Sequence, residues 1–234
     1  WIWHKEQNDT NGWHQTDTSI GIANYLASDG TAAEYGVGSA YVSATGSNSI
    51  SYGGGDSSFN SNSVAQATWA WKANGGTTAS NTDGSITTTT QVNSDAGFSI
   101  VTWAGGGTGS LGHGLGVVPD MWIVKNRDYA VSWAVGFSDS SILGGTSNYL
   151  SLNTTGTTST YNNIWGSSPA NSSTITMAGD RSVNISGNDY VGYFFKGKQG
   201  YSKFGKYVGN GNAKGPFVYT GFKPAWVMIK VNGT

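Results

Sequence analysis

The sequence predicts an all-β fold made of tandem antiparallel β-sandwich units, jelly-roll-like, with no substantial helix. Short apolar or aromatic segments such as 98–103 and 190–195 are bounded by Gly, Asn, Asp or Pro, as strands usually are. An internal repeat divides the chain into similar units. One strand in each unit carries apolar residues on both faces, which is typical of a central strand covered on both sides.

The repeat is found by aligning the two halves of the chain. Residues 24–72 match residues 148–196 without a gap, and 11 of these 49 pairs are identical. Before this block, a Lys is followed eight residues later by a Trp in both halves: Lys5 and Trp13, Lys125 and Trp133. A Gly-aromatic-Ser motif at 97–99 recurs at 200–202 and indicates where a unit begins.

These matches predict four segments. Residues 1–72 form a first β unit that lacks its N-terminal strands, and residues 97–199 form a complete unit. Residues 73–96 have few large apolar side chains and are predicted to be a linker or a long loop. Residues 200–234 are predicted to be the N-terminal strands of a further unit, which complete a unit like 1–72 in the same chain, in a neighbour or in sequence beyond this chain.

A strand is predicted to occur in three copies, at 1–5, 121–125 and 226–230. One face of this strand carries two apolar residues and a lysine in each copy: Trp1, Trp3 and Lys5; Met121, Ile123 and Lys125; Trp226, Met228 and Lys230. The opposite face is also largely apolar, so we expect the strand to be central. The one helix-like segment, 64–73, aligns with the strand-like 189–197 and is predicted to be a strand.

Composition excludes several classes of protein. Twelve basic and thirteen acidic residues give a net charge of −1 with no basic run, so we expect no nucleic-acid partner. The absence of cysteine excludes disulfides, thiol catalysis and thiolate zinc sites. No apolar run approaches the roughly 18 residues of a membrane helix, so we expect no membrane insertion.

Gly107, Gly109 and Gly112 have the G-x-G-x-x-G spacing of a dinucleotide-binding loop. That mechanism needs a helix directly after the last glycine, whereas the segment that follows is HGLGVVP. The related glycines of the third copy, at 209, 211 and 215, do not keep the spacing. The glycines are therefore predicted to form a turn between two strands, and no cofactor is expected.

No residues form a recognisable catalytic or metal-binding motif, and we expect a protein that is not an enzyme. The histidines at 4, 14 and 113 have no equivalent in another unit and are predicted to be structural. Asp56 and Asp180 are equivalent, and each follows a Gly, which is typical of an Asx turn. Carboxylates from distant segments could still form a glycosidase pair, an alternative that the sequence leaves open.

Trp and Tyr on a neutral surface rich in hydroxyl groups suit stacking on sugar rings. Several aromatic residues recur at equivalent positions, namely Trp13 and Trp133, Tyr41 and Trp165, and Trp69 and Tyr193, and recurring aromatics are more often core than ligand platform. Trp165, in the stretch YNNIWGSSPANSS, is the best candidate for an exposed glycan-stacking residue, and Tyr161 lies in the same stretch.

Three stretches resemble a known family: GFSIVTWAGGGTGSLGHGLGVVPDMWIVKNR, YLSLNTTG with VNISGNDYVGYFF, and GYSKFGKYVGNGNAKGPFVYTGFKPAWVMIK. They resemble the repeated β domains of unassigned function in tail-fibre and virion structural proteins of tailed bacteriophages, especially aquatic ones. This resemblance implies a virion or extracellular structural protein that forms a homo-oligomer, as a trimer or a filament. It also implies contacts with other virion proteins and with host-surface glycan, but no catalytic residues.

Three alternatives remain open at this stage. The chain could be an extracellular carbohydrate-binding or adhesin module. It could be a filament subunit in which residues 200–234 complete unit 1–72 of the next chain by strand donation. A glycan hydrolase is the third alternative.

Overall fold

The computed structural model describes residues 1–54 and 57–233, and these residues form an antiparallel β protein. The all-β prediction without substantial helix is confirmed. The strands in chain order are β1 (Ile2–Glu6), β2 (His14–Thr16), β3 (Asn24–Ala27), β4 (Tyr35–Gly36), β5 (Val42–Thr45), β6 (Ile50–Tyr52), β7 (Gln66–Ala70), β8 (Ala79–Asn81), β9 (Thr88–Asn93), β10 (Phe98–Ala104), β11 (Gly109–Gly112), β12 (Met121–Asn126), β13 (Ala134–Phe137), β14 (Asn148–Ser151), β15 (Ser159–Thr160), β16 (Thr174–Met177) and β17 (Asp189–Phe195). In the part of the chain that the structure describes, helix is limited to the single turns α1 (Ser57–Asn60) and α2 (Ser140–Leu143) and a 3₁₀ turn at Gly38–Ala40.

Two sheets form the body of the molecule. The smaller has the strand order β4-β3-β2-β1-β7, and the larger has the order β15-β14-β13-β12-β17-β10-β9-β8. The first five strands of the larger sheet are therefore the repeat equivalents of the whole smaller sheet, in the same order. Two hairpin-like pairs, β5-β6 and β11-β16, complete the architecture.

The pairing register is also the same in the two sheets. The alignment that places Lys5 on Lys125 and residues 24–72 on 148–196 puts every paired position of the small sheet onto a paired position of the large one. For example, Trp3 lies opposite Gln15 and Trp69, and its equivalent Ile123 lies opposite Val135 and Tyr193. A one-residue slip in the pairing would turn every side chain of a strand to the opposite face of its sheet. Because the register agrees, equivalent residues lie on equivalent faces of the two sheets.

Apolar residues form three clusters. The largest lies between the two sheets and includes Trp1 and Trp3 from β1 with Met121 and Ile123 from β12. A second covers the other face of the large sheet under β11 and β16, and a smaller third covers the other face of the small sheet under β5 and β6. Both faces of β1 and of β12 are thus buried, as the sequence pattern predicts for a central strand.

Residues 73–96 are not simply a linker or loop, which corrects the sequence prediction. They contain β8 and β9: β9 pairs with β10, and β8 pairs with β9 as the edge strand of the large sheet. Thr88, Thr90 and Gln91 are buried there although few large apolar residues mark the segment. The backbone N–H and C=O groups of this segment pair with the neighbouring strands. The β-branched side chain of threonine also favours a strand.

Residues 200–234 are predicted to be the N-terminal strands of a further unit, and this stays a prediction, because residues 200–233 form no strand within this single chain. From Lys196 to Gly233 the chain has only an isolated bridge between Lys198 and Ser202. A strand needs a neighbouring strand for its hydrogen bonds, and the described residues offer this segment none. In contrast, segment 64–73 contains β7 and is a strand as predicted.

Within residues 1–54 and 57–233, no helix has the length and apolar character needed to span a bilayer.

Candidate functional site: the contact between repeat units

The contact between the two sheets is the most extensive site that the fold builds. We call the small sheet with its loops the first unit and the large sheet with its loops the second unit. Trp1 of the first unit stacks on Tyr193 of the second with ring centroids 4.5 Å apart, and Phe98 and Phe195 lie within 6.0 Å of the same indole. Aromatic pairs at these separations add attraction beyond the buried area.

At one end of this core, the second unit is hydrogen-bonded to the loop that follows β3. We call residues 27–34 the first-unit loop. Glu34 N donates to Arg127 O at 2.7 Å, and the Arg127 guanidinium contacts the Glu34 carboxylate at 2.6 and 3.0 Å. Trp133 Nε1 donates to Ala27 O at 2.9 Å. The end of β12 and the start of β13 are therefore fixed to the first unit.

We call this contact between the end of β12 and the first-unit loop the seam. Lys125 is fully buried in it, and no carboxylate of the described residues bonds its ammonium. Its Nζ donates to the carbonyl oxygens of Thr31 at 3.1 Å, Val131 at 3.0 Å and Tyr129 at 3.4 Å. Burial lowers the pKa of this ammonium from 10.5 to about 8. The three carbonyl acceptors tie the first-unit loop to a loop of the second unit through one side chain.

A second polar contact joins the units inside the core. The hydroxyl of Tyr193 donates to Asp17 Oδ2 at 2.7 Å, and Asp17 also accepts from Ser19 N and Ile20 N. Burial, followed by the charge of Asp17, raises the pKa of Tyr193 well above 10. Gln91 of β9 extends this network to Thr18.

The same seam is found a second time, between the second unit and residues 224–232. We call residues 151–158 the second-unit loop, which is equivalent to the first-unit loop. Thr158 N, at the position of Glu34 N, donates to Asn232 O at 3.3 Å, and Asn232 is at the position of Arg127. Lys230, at the position of Lys125, donates to Thr154 O, one residue from the equivalent of Thr31. Residues 224–232 thus dock on the second unit as β12 docks on the first.

Residues 224–232 also reach the first unit. The ring of Trp226 lies 5.6 Å from that of Trp3 and 5.4 Å from that of Trp71, and Met228 packs against the same core. All three copies of the repeated segment therefore send their equivalent residues into one shared apolar core.

The predicted glycan-stacking residues are separated by the fold. Trp165 is buried with 4% of its surface exposed, contacts Trp122 edge to face at 5.5 Å, and donates to Asn148 O. Its ring faces are occupied by core packing, which corrects the prediction that it is exposed. Tyr161 is 48% exposed and remains accessible for stacking.

The glycine-rich stretch forms strand and turn. Gly109–Gly112 is strand β11, and residues 113–120, which follow the G-x-G-x-x-G glycines, contain no helix. A Cβ at Gly112 would lie 1.7 Å from Asn81 Oδ1, and Gly107 has a φ of +78°, so close approach and a left-handed turn account for glycine at these two positions.

The other residues considered from the sequence have structural contacts. His4 bonds Thr68 and Gln66, and His113 Nε2 lies 3.1 Å from Asn171 O. Asp180 accepts from Ser182 N in the predicted Asx turn, whereas Asp56 lies outside the described residues. Among residues 1–54 and 57–233, no three His, Asp or Glu side chains are grouped for a metal ion.

The seam residues were not predicted as a site, although one signal pointed to them. The spacing from Lys to Trp is conserved between Lys125–Trp133 and Lys5–Trp13, and both members of the second-unit pair touch the first-unit loop. The loop itself, with backbone carbonyls as acceptors, has no sequence signature.

Comparison with known proteins identifies the family. No curated protein and no solved structure is significantly similar to the chain. A family model described as a domain of unknown function, DUF7483, matches residues 1–234. Since this match spans the whole chain, the protein belongs to the DUF7483 family.

Proposed function

We propose that the chain is a non-enzymatic structural module of a virion appendage, such as a phage tail fibre, in which repeated β units are fixed rigidly to one another. The observation that carries the proposal is the repeated seam: Glu34 N to Arg127 O and Thr158 N to Asn232 O join successive copies at equivalent positions. A contact that each unit offers to the next is what a protein needs in order to extend by repetition.

The chemistry of the contact supports a permanent structural role. The core between the sheets is formed by stacked and tilted indole and phenyl rings, with Trp1, Tyr193 and Phe195 at its centre. Large apolar interfaces are characteristic of obligate assemblies rather than transient ones. The uncharged polar surface and the family resemblance of the stretches at 97–127 and 200–230 support an extracellular or virion location.

The proposed partners are other copies of the chain, as a trimer or filament, and other virion proteins. Host-surface glycan is proposed as a further ligand of exposed tyrosines, with Tyr161 as the accessible member of the predicted pair. Tyrosine binds sugar by stacking its apolar face while its hydroxyl remains hydrated.

Virion location is tested by quantitative mass spectrometry of gradient-purified particles, together with gold-labelled antibodies raised against the chain. We expect the protein to co-purify with particles at a fixed ratio to the capsid protein and the gold to label an appendage. Recovery only in the particle-free fraction would contradict the proposal.

Glycan binding is tested on a glycan array with the full chain and two matched variants. Tyr161→Ala removes the proposed stacking ring, whereas Tyr201→Ala removes a ring of similar exposure far from it in sequence. We expect Tyr161→Ala alone to lose binding. Equal loss in both variants, or no binding by the parent chain, would remove adhesion from the proposed function while leaving the structural role.

A strand-exchanging filament subunit is the alternative that a specific observation favours. In the described structure β7 is an edge strand, whereas its equivalent β17 is paired on both sides by β10 and β12. Exposed strand edges accept strands from other chains. A Thr68→Pro variant would then abolish filaments in electron micrographs of concentrated protein, and filaments that persist in this variant would exclude pairing at that edge.

A further inference from the structure

We propose that the apolar core belongs to a three-sided prism and that the uncovered face of the first unit, formed around Lys5, Trp13 and Trp69, is the docking surface for a third sheet of the same repeat. In this sheet, residues 226–232 are the strand equivalent to β1 and β12. The first and second units are the other two sides.

The first step in the inference is that the seam is directional. The second unit places its strand end on the first-unit loop, and residues 226–232 are placed on the second-unit loop through one equivalent backbone hydrogen bond and a lysine contact shifted by one residue. Each copy uses its strand to contact the loop of the preceding copy. Contacts between unlike surfaces of this kind form a closed ring or continue as an open helix.

The second step is that the contacts close after three copies. Trp226 and Met228 of the third copy pack on Trp3 and Trp71 of the first unit rather than extending away from it. An open helix would separate the first and third copies. Contact between them indicates a ring of three around the shared core.

The third step is that the first unit lacks the cover that its equivalents receive. Trp133 is 0% exposed because the first-unit loop covers it, and Tyr193 and Lys125 are equally buried. Their equivalents Trp13, Trp69 and Lys5 are only partly buried.

The hydrogen bonds show the same difference. Trp133 Nε1 donates to Ala27 O, but in the described part of the chain Trp13 Nε1 has no hydrogen-bond partner. Among residues 1–54 and 57–233, Lys5 Nζ bonds Asp9 O alone, which corresponds to the Lys125 bond to Tyr129 O, and these residues give it no bond to a neighbouring loop. In the three-sided arrangement, Trp13 Nε1 and Lys5 Nζ donate to a loop of the third sheet.

The exposed side of residues 226–232 fits this occupant. Val227, Ile229 and Val231 are 64–68% exposed, whereas the equivalents of the first two on β12, Trp122 and Val124, are buried in the second cluster of the large sheet. Apolar side chains on both sides of a strand are expected where neighbouring strands and a covering layer complete a sheet. Residues 226–232 already form the seam with the second unit. The strands beside them are therefore assigned to a further sheet of this same repeat, as the equivalents of β2, β3 and β7.

The test extends the full chain by placing a copy of residues 8–72 directly after Asn232, which lies at the position of Gln7. The chain has no cysteine, so cysteine pairs report single contacts. In one protein, Gln7→Cys is combined with cysteine at the Glu34 position of the added copy. In the matched control, Glu34→Cys is combined with Arg127→Cys, whose backbone N and O atoms are 2.7 Å apart in the existing seam.

We expect both pairs to form intramolecular disulfides on mild oxidation, because the separations at equivalent seams fall in the range that a disulfide spans. Formation of the control disulfide without the new one would overturn the proposal. Disulfide-linked dimers of the unextended chain carrying Gln7→Cys and Thr158→Cys would show that a second copy occupies the surface, and would also overturn it.

Thiol reactivity provides a second measurement. Lys5→Cys in the extended chain should react at least about tenfold more slowly than in the unextended chain, because a covered site reacts only through local opening. Ser168→Cys, on an exposed loop, should react equally in both. An unchanged Lys5→Cys rate would contradict the three-sided arrangement while leaving the proposed virion role intact.

Discussion

The two repeat units pair their strands identically but bury their side chains differently. Strand order and register agree across the five equivalent strands, yet Trp133 and Lys125 are fully buried where Trp13 and Lys5 are not. Pairing within a sheet is set by the local sequence, whereas burial of its outer residues is set by the neighbouring unit. The difference teaches that this repeat is completed by its neighbours, as in other repeat proteins.

The largest effect is expected from truncating the two equivalent tryptophans. Trp133→Ala should lower the free energy of unfolding by about 3–5 kcal/mol, since it creates a cavity and leaves Ala27 O without its donor. Trp13→Ala, at a partly exposed position, should cost no more than about 2 kcal/mol. Chemical denaturation of both variants measures the two losses in the free energy of unfolding. Equal losses would contradict the claim that Trp133 is more completely buried by its neighbouring unit than Trp13.

Asn184, one of two fully buried asparagines of the second unit, should have the next largest effect. Asn184 Oδ1 accepts from Trp103 Nε1 at 3.1 Å and Gly106 N at 3.3 Å, whereas its equivalent Asn60 is exposed and donates to Gly53 O. Asn184→Ala leaves buried donors without a partner and should cost about 2–3 kcal/mol. Asn60→Ala should cost less than about 1 kcal/mol. An equal fall in the denaturation midpoints of Asn184→Ala and Asn60→Ala would contradict this difference between the two units.

Lys125 predicts a pH dependence of stability. Below about pH 8 the ammonium is charged in both states; between about 8 and 10.5 the unfolded chain holds more protons than the folded one. The free energy of unfolding therefore rises with pH across this window, by no more than about 3 kcal/mol. Lys125→Met should remove the rise and Lys5→Met should retain it, as measured by denaturation at several pH values. A rise that survives in Lys125→Met would contradict the assignment.

The smallest effect is expected from the ion pair at the seam. Arg127 and Glu34 form a bidentate contact, whereas the second seam has uncharged Thr158 and Asn232 at these positions. Glu34→Gln should lower the free energy of unfolding by about 0.5–1 kcal/mol because the pair is partly exposed. The loss should shrink at high salt. A loss that is independent of salt would indicate a packing effect instead.

Much of the fold could be predicted from the sequence because the repeat carries it. The equivalence of Trp1, Met121 and Trp226 is read from the sequence, whereas their packing into one common core is seen only in the structure. Strands β8 and β9 were missed because Thr-rich segments have no apolar period, and their burial depends on β10 and on contacts such as Gln91 with Thr18.

The candidate site was less predictable. The environment of Trp165 depends on Trp122, which is distant in sequence, so composition alone suggested an exposed ring where the fold builds a buried one. The seam uses backbone carbonyls of the loop after β3 as acceptors for Lys125 and Trp133. Every residue has such a carbonyl, and only the packing of the two units selects these.

Amide hydrogen exchange of the equivalent strands β7 and β17 tests the comparison most directly. Trp71 N donates to Trp1 O, so by the alternation of antiparallel pairing the amides of Gln66, Thr68 and Ala70 face the unpaired edge. The equivalent amides of β17 face β10. We predict fast exchange at Gln66, Thr68 and Ala70 and slow exchange at their equivalents, at positions 190, 192 and 194. Equal protection of the two sets of amides would contradict the claim that one fold is present twice and completed only once.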